Sequence, residues 1–401
     1  MLLNSFAEPE ASLLPKRPAK PQQVVLVFQG GGALGAYQAG VYQALHEAGI
    51  EPDWIIGTSI GAINGSLIAG NEFEQRLPAL EAFWQRMAHK TLIHAETPWP
   101  QLQQTMRYWQ TVAHGIPDFF QPNYAAFLGP HIPLGADGAG YYSTAPLERT
   151  LSELVDFDLI NRCKPRLTVG AAHLRSSRMK YFDGRDMPIT ARHILASGAL
   201  PPAFPPVRIE GELYWDGGIL SNTPSEVVFD DYPRRNSLIF AVHMWNPEGP
   251  EPVTMWDVMH RQKDIQYSSR VASHIQRQRQ THRLRHVIKE LSSMLPAQAR
   301  DSAVARDLME YGCSTQMHVV RLLAPRLETE DQTKDVDFSP SGIRDRWAAG
   351  YATARRAIEC APWSGEFDPI DGVILHEPDS HGRWTLPVVG AQASPAPLAA
   401  E

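Results

Sequence analysis

The sequence predicts an α/β fold with parallel strands, and three observations carry that reading. Val24-Val25-Leu26-Val27-Phe28 is a short all-apolar run that ends in a glycine cluster, the pattern of a strand buried on both faces. Leu34, Tyr37, Val41, Leu45 and Ala48 then recur at helical spacing, with Gly49 as the stop. Trp54-Ile55-Ile56 is a second short strand that runs directly into Gly57-Thr58-Ser59-Ile60-Gly61 and a small-residue helix reaching about Gly70. Strand, helix, strand and helix at this spacing form consecutive βα units.

Further along, residues 71–150 hold a helical piece around Leu80–Met87 and then an irregular region rich in Trp, Tyr and Pro. It reads as an insertion capping the sheet, with aromatic residues suited either to an apolar entrance or to local core under long loops. Strand patterns return at Leu167–Ala172 and Met179–Phe182, and a helix from Ile189 to Ala196 leads into Ser197-Gly198-Ala199-Leu200-Pro201-Pro202. Leu213-Tyr214-Trp215 precedes Asp216-Gly217-Gly218, and Leu238–Val242 is another buried strand. After Asn246 the composition changes: 253–312 reads as helices, Met317–Leu322 as a last strand and Ser341–Cys360 as a helix. The expected organisation is a disordered segment 1–22, a catalytic domain 23–246 with a lid-like insertion 71–150, a mostly helical extension 247–386 and a disordered tail 387–401.

Composition narrows the function. Of 401 residues 43% are hydrophobic, enough for a sizeable core, and the net charge of −7 argues against a general nucleic-acid binder. Cys163, Cys313 and Cys360 are odd in number and widely spaced, so neither a disulfide framework nor a zinc site is indicated. No window reaches the roughly 18 apolar residues of a membrane span, and Met1–Gln23 lacks a signal-peptide pattern. A cytoplasmic protein is expected, with peripheral membrane attachment left open.

The chemistry concentrates in four places. Gly57–Gly61 fits G-x-S-x-G between a strand and a helix, where a sharp turn lifts Ser59 off the sheet as a nucleophile. Gly30-Gly31-Gly32-Ala33-Leu34-Gly35 also matches the dinucleotide pattern G-x-G-x-x-G, which would imply a nucleotide-binding oxidoreductase. That reading needs an acidic residue closing the second strand, but Glu51 and Asp53 precede Trp54–Ile56. Two such loops on adjacent strands suit acyl transfer better, one supplying the nucleophile and the other backbone donors for an oxyanion. For the base, Asp216 in its Asp-Gly-Gly turn is distinctive. His243, closing the strand Leu238–Val242, is the histidine candidate for a triad.

Gly30–Gly35, Gly57–Gly61, Ser197–Pro206 and Asp216–Gly218, in this order, resemble the four signature blocks of the patatin-like phospholipase family over residues 24–245. The resemblance implies a three-layer sandwich, with a largely parallel central sheet and helices on both faces. It implies a Ser59–Asp216 dyad rather than a triad, an oxyanion hole at Gly30, Gly31 and Gly32, and motif glycines Gly35, Gly57, Gly61, Gly217 and Gly218. Lipid acyl esters are the implied substrates, with no metal or organic cofactor. Leu34 stands where several members carry Arg or Lys, so backbone donors would serve the oxyanion alone. Residues beyond about 290 resemble an extension of unknown role seen in some bacterial members. A catalytically idle lipid-binding module is the further alternative, against which Ser59 and Asp216 both stand intact.

One stretch runs against the acidic total. Residues 261–289 hold Arg261, Lys263, Arg270, Arg277, Arg279, Arg283, Arg285 and Lys289 against Asp264, a local charge of +7. Ile265, Val271, Ile275, Leu284 and Ile288 suggest an apolar stripe, so contact with an anionic membrane is one expectation and a solvated helix face the other.

Overall fold

Strand β1 (Gln23–Phe28) buries Val25 to Phe28 completely, as a strand covered on both faces must. It lies in register with β2 (Trp54–Thr58), Val25 opposite Trp54 and Phe28 opposite Gly57, both running in the same direction. In this computed structural model residues 21–88, 108–268, 271–327, 330, 333–368, 370–379 and 382–384 are described. Most of the expected leading segment 1–22 and all of the expected tail 387–401 lie outside them.

The remaining strands of the main sheet are β5 (Arg166–His173), β6 (Arg178–Asp183), β7 (Val207–Ile209), β8 (Glu212–Asp216), β9 (Ser237–His243), β10 (Met317–Leu323) and β11 (Val373–His376). β3 (Gln121–Pro122) and β4 (Tyr142–Ser143) form a separate two-stranded ribbon. The main sheet runs β11-β10-β9-β1-β2-β5-β8-β7, with β6 also on β5. Pairing is parallel from β11 to β5 and antiparallel among β5, β6, β8 and β7. The expected strands at 167–172, 179–182, 213–215, 238–242 and 317–322 are present, each within a residue of its predicted limits. β7 and β11 were not foreseen, since three or four residues carry too little periodicity to mark a strand.

The region after Asn246 adds two strands to the sheet as well as its helices. β10 extends the parallel order from β9, so the extension shares the sheet that carries the glycine loop and the G-x-S-x-G turn. The helix Pro340–Cys360 packs on the helix Ala36–Glu47 at backbone contact distance. A Cβ built on Gly40 would come within 1.9 Å of the Trp347 carbonyl oxygen, and one on Gly350 within 2.0 Å of that of Tyr37. Glycine at both positions lets the helices touch main chain to main chain. Around their margin Trp347 Nε1 donates to Gln43 at 2.6 Å and Tyr351 donates to Glu47 at 2.7 Å.

The helices of the basic stretch, Met255–Ser268 and Val271–Met294, do not gather their apolar residues on one exposed face. Ile275 is buried in a core cluster with β9 and β10, whereas Ile265 and Leu284 are exposed. The side chain of Val271 lies outside the described residues. Packing Ile275, His282 and His286 inward uses up the stripe that the spacing suggested.

Candidate active site

One strand brings the two candidate catalytic residues together. Thr58 pairs with Gly170 of β5, and Asp216 pairs with Ala171, the next residue of the same strand. β2 and β8 run toward each other along the same side of β5 and end head to head, so Ser59 and Asp216 meet although far apart in sequence. Gly217 turns the chain away at once, so close to the Gly170 carbonyl that an added Cβ would lie 2.6 Å from its oxygen.

Ser59 has φ 56° and ψ −124°, a strained conformation for a residue other than glycine, at the junction of β2 and the helix Ile60–Ala69. The turn closes tightly: a Cβ on Gly57 would meet the Gly61 carbonyl oxygen at 2.3 Å, and one on Gly61 the Phe28 carbonyl oxygen at 2.4 Å. The Ser59 backbone N–H donates to the Ser197 hydroxyl at 2.9 Å, and that hydroxyl donates to the Gly170 carbonyl at 2.6 Å. Every residue of the helix Ile60–Ala69 is buried, which fixes its N-terminal end under the serine. That end favours negative charge developing beside it.

Asp216 is 2% exposed. Burial pushes its carboxyl up to about 6, opposed by the hydrogen bond from the Ser59 hydroxyl and by the Gly218 N–H. The Gly218 N–H donates to Oδ1 at 2.7 Å. His243 is buried among β9 and β10, where desolvation lowers its imidazole to about 3, with Arg321 adding to the effect. It does not line the cavity that holds Ser59 and Asp216.

The glycine loop is clamped from several sides. Gly30 donates its N–H to the Asn222 carbonyl at 3.2 Å, and its own carbonyl accepts from Asn222 Nδ2 at 3.1 Å and Trp245 Nε1 at 2.8 Å. Gln29 receives the backbone N–H groups of Met244 and Trp245 and donates to Thr223 and to the Tyr267 carbonyl. Asn64 donates to the Gly35 carbonyl at 2.9 Å, tying the loop to the helix behind Ser59, while Ile60 and Trp84 close over Gly35. Gly32 sits at φ +56°, and Ala33 donates its N–H to the Asp335 carbonyl at 2.8 Å. The N–H groups of Gly31 and Gly32 have no hydrogen-bond partner among the described residues.

These parts floor a cavity of about 360 Å³, within the ordinary range for small-ligand sites. Its walls are apolar: Ile63, Phe119, Phe120, Tyr142, Leu147 and Phe204 among others. Phe119, Phe120, Tyr142 and Leu147 come from the predicted insertion. Tyr267, Asp335, Val336 and Phe338 come from beyond residue 246 and had no signal in the sequence. The strap 333–338, which bears Asp335, Val336 and Phe338, is tied to the helix that bears Tyr267 by Lys334 to the buried Asp264 at 2.7 Å and by Lys263 to Asp335 at 2.7 Å. Ser197, Asn222 and Gln29 were also given no role by the sequence, although Ser197 opens a recognisable block. Among the described residues no group of three or more His, Cys, Asp or Glu side chains is placed to hold a metal ion.

A family profile described as patatin-like phospholipase matches residues 26–229, and a second, described as patatin phospholipase, matches 265–370. Lysophospholipase nte1 of Aspergillus terreus is 27% identical over 264 residues, 60% of this chain and 15% of that protein. Patatin-like phospholipase domain-containing protein 6 of Homo sapiens is 25% identical over 205 residues, 51% of this chain and 12% of that one. The chain therefore spans under a sixth of the length of these relatives. Among solved structures, VipD from Legionella pneumophila is 17% identical with a TM-score of 0.38, covering 84% of this chain and 67% of that one.

Proposed function

Because the chain belongs to the patatin-like phospholipase family, we propose that it is a serine-dependent hydrolase of lipid acyl esters, with Ser59 as nucleophile and Asp216 as its base. The observation that carries this reading is the meeting of the Ser59 hydroxyl and a buried carboxyl raised to about 6 at the floor of an apolar cavity. An ordinary aspartate, near 3.9, is too weak a base at neutral pH, and burial moves this one into the working range.

In the proposed cycle Asp216 takes the Ser59 proton as Oγ attacks the ester carbonyl carbon. The resulting oxyanion is met by the N–H groups of Gly31 and Gly32, because Gly30 has committed its own N–H to Asn222. Collapse of the tetrahedral intermediate breaks the bond to the alcohol, which leaves with the proton from Asp216. Water then gives a proton to Asp216 and attacks the acyl-enzyme, and Ser59 regains its proton as the fatty acid departs. On this reading the catalytic machinery comes from 23–246, and the 71–150 insertion walls the acyl site. Leu34 is buried, so no cation from the loop itself joins the oxyanion site.

For the helix Val271–Met294 the proposed role is limited to electrostatics toward anionic lipid. Arg277, Arg279, Arg283 and Lys289 are exposed there, whereas Arg261 and Lys263 are bound to Pro247 and Asp335. Replacing Ser59 by Ala tests the central reading: ester hydrolysis and fluorophosphonate labelling should both vanish from a folded protein. Retained turnover and labelling would overturn it.

A further inference from the structure

Just outside the cavity the chain makes a hairpin whose tip is apolar and turned to solvent. β3 and β4 form its short stem, and a single helical turn at Tyr124–Leu128 forms its tip. The turn is firmly built. Asn123 donates its side-chain amide to the carbonyls of Gly138 at 3.2 Å and Gly140 at 2.9 Å, and its N–H to the Tyr141 carbonyl at 2.8 Å. Tyr141 and Tyr142 donate their N–H groups to Pro202 and Ala203, which anchors the stem on the loop beside the catalytic aspartate. Yet Tyr124 is 77% exposed, Leu128 76% and Phe127 52%, with Ile132 beside them. A fixed hairpin that spends its hydrogen bonds on holding such side chains in water is arranged for contact with an apolar phase.

The tip is continuous with the substrate cavity. Phe127 packs on Tyr141 and Tyr142 with ring centroids 5.2 Å and 6.3 Å apart, and both tyrosines line the cavity. Phe120 continues the aromatic surface from Tyr142 inward, at 5.0 Å. From Gln121 to Ser143 the only fully charged side chain at neutral pH is Asp137, and Arg208 pairs with it at 3.1 Å.

We propose that the hairpin tip Tyr124–Leu128 with Ile132 inserts into the surface of a lipid aggregate and passes the acyl chain along Tyr141, Tyr142 and Phe120 to Ser59. The inference rests on the hydrolase reading for what happens at Ser59. The occupant is a lipid surface rather than a protein, because the apolar strip runs unbroken into the apolar cavity that holds Ser59. The contact is uncharged, so it does not require anionic head groups and is insensitive to salt, unlike one made by the basic helix.

The test is flotation of the full chain with phosphatidylcholine vesicles at low and high salt, beside hydrolysis of a soluble p-nitrophenyl butyrate. The wild type should float equally at both salt concentrations. The triple variant Tyr124→Ser, Phe127→Ser, Leu128→Ser should bind about tenfold more weakly or worse, since three side chains lose their apolar burial. It should hydrolyse the soluble ester at the wild-type rate, because none of the three lines the cavity. Phe127→Leu should keep binding, because a bilayer reads apolarity and not shape. Equal flotation by the triple variant overturns the proposal, as does binding that needs anionic lipid and fails at high salt. Self-association abolished by the triple variant, with no flotation of the wild type, would assign the tip to a second copy and overturn it too. Flotation is read without turnover, so a wild type inert toward the soluble ester would defeat the hydrolase reading and leave the docking surface to be judged separately.

Discussion

The Ser197 hydroxyl accepts the backbone N–H of Ser59 at 2.9 Å and donates its own O–H to the Gly170 carbonyl at 2.6 Å. One side chain thus links the strained serine to the strand that pairs with both Thr58 and Asp216. Replacing Ser197 by Ala strands a buried donor and a buried acceptor, at about 1 to 3 kcal/mol. Chemical denaturation should show that loss. kcat should fall by roughly tenfold with KM little changed, since alignment of Ser59 rather than substrate contact is disturbed. Wild-type kinetics in a destabilised variant would confine Ser197 to the fold.

Asp216→Asn and His243→Ala should rank in opposite order to a serine–histidine triad. The amide keeps the shape of the carboxylate but not its basicity, so turnover should drop by roughly three orders of magnitude or more. His243 is outside the cavity, and its loss should leave most activity per folded molecule. A silent Asp216→Asn with an inactive His243→Ala would reverse the assignment.

With its carboxyl near 6, Asp216 is half protonated at mildly acidic pH, and kcat/KM should rise through about pH 6 and level off above it. Stability should respond in the opposite sense. A carboxyl raised by folding helps the fold while protonated, below its unfolded value near 3.8, and that help is lost as pH climbs through 6. Asp216→Asn should therefore be stabilised relative to the wild type at pH 8, by roughly 2 to 3 kcal/mol at most, and gain nothing at pH 4. Thermal melts at the two pH values check this, and an equal gain at both would refute the burial argument.

Gly350→Ala should be among the most damaging single methyl additions in the chain. The new Cβ would fall 2.0 Å from the Tyr37 carbonyl oxygen, and neither helix backbone can yield without parting from the other. A loss of about 3 kcal/mol or more is expected in denaturant titrations, against less than 1 for Ala349→Ser nearby on a partly buried position. A near-neutral Gly350→Ala would mean that the two helices do not depend on this contact.

The sequence by itself determined the local units. Short apolar runs marked β1, β2 and β9, and the glycine loop and G-x-S-x-G could be placed at the ends of β1 and β2 because a sharp turn there needs those residues. Asp216 was legible for the same reason, as the residue that closes a strand in a tight turn. Tertiary structure alone decided which distant segments complete the site. Asp335, Val336, Phe338 and Tyr267 reach the cavity because β10 joins the sheet beside β9, a buried Lys334–Asp264 pair ties segment 333–338 to the helix that carries Tyr267, and the Asp335 carbonyl holds that segment to the glycine loop through the Ala33 N–H. Strand order and ion pairing across such separations leave no periodicity in the chain. The stripe expected along 261–289 failed on the same ground: spacing says which residues share a helix face, and only packing says that Ile275 turns that face inward. The rise of Asp216 to about 6 also belongs to the fold, since desolvation is a property of what surrounds a carboxyl and not of its neighbours in sequence.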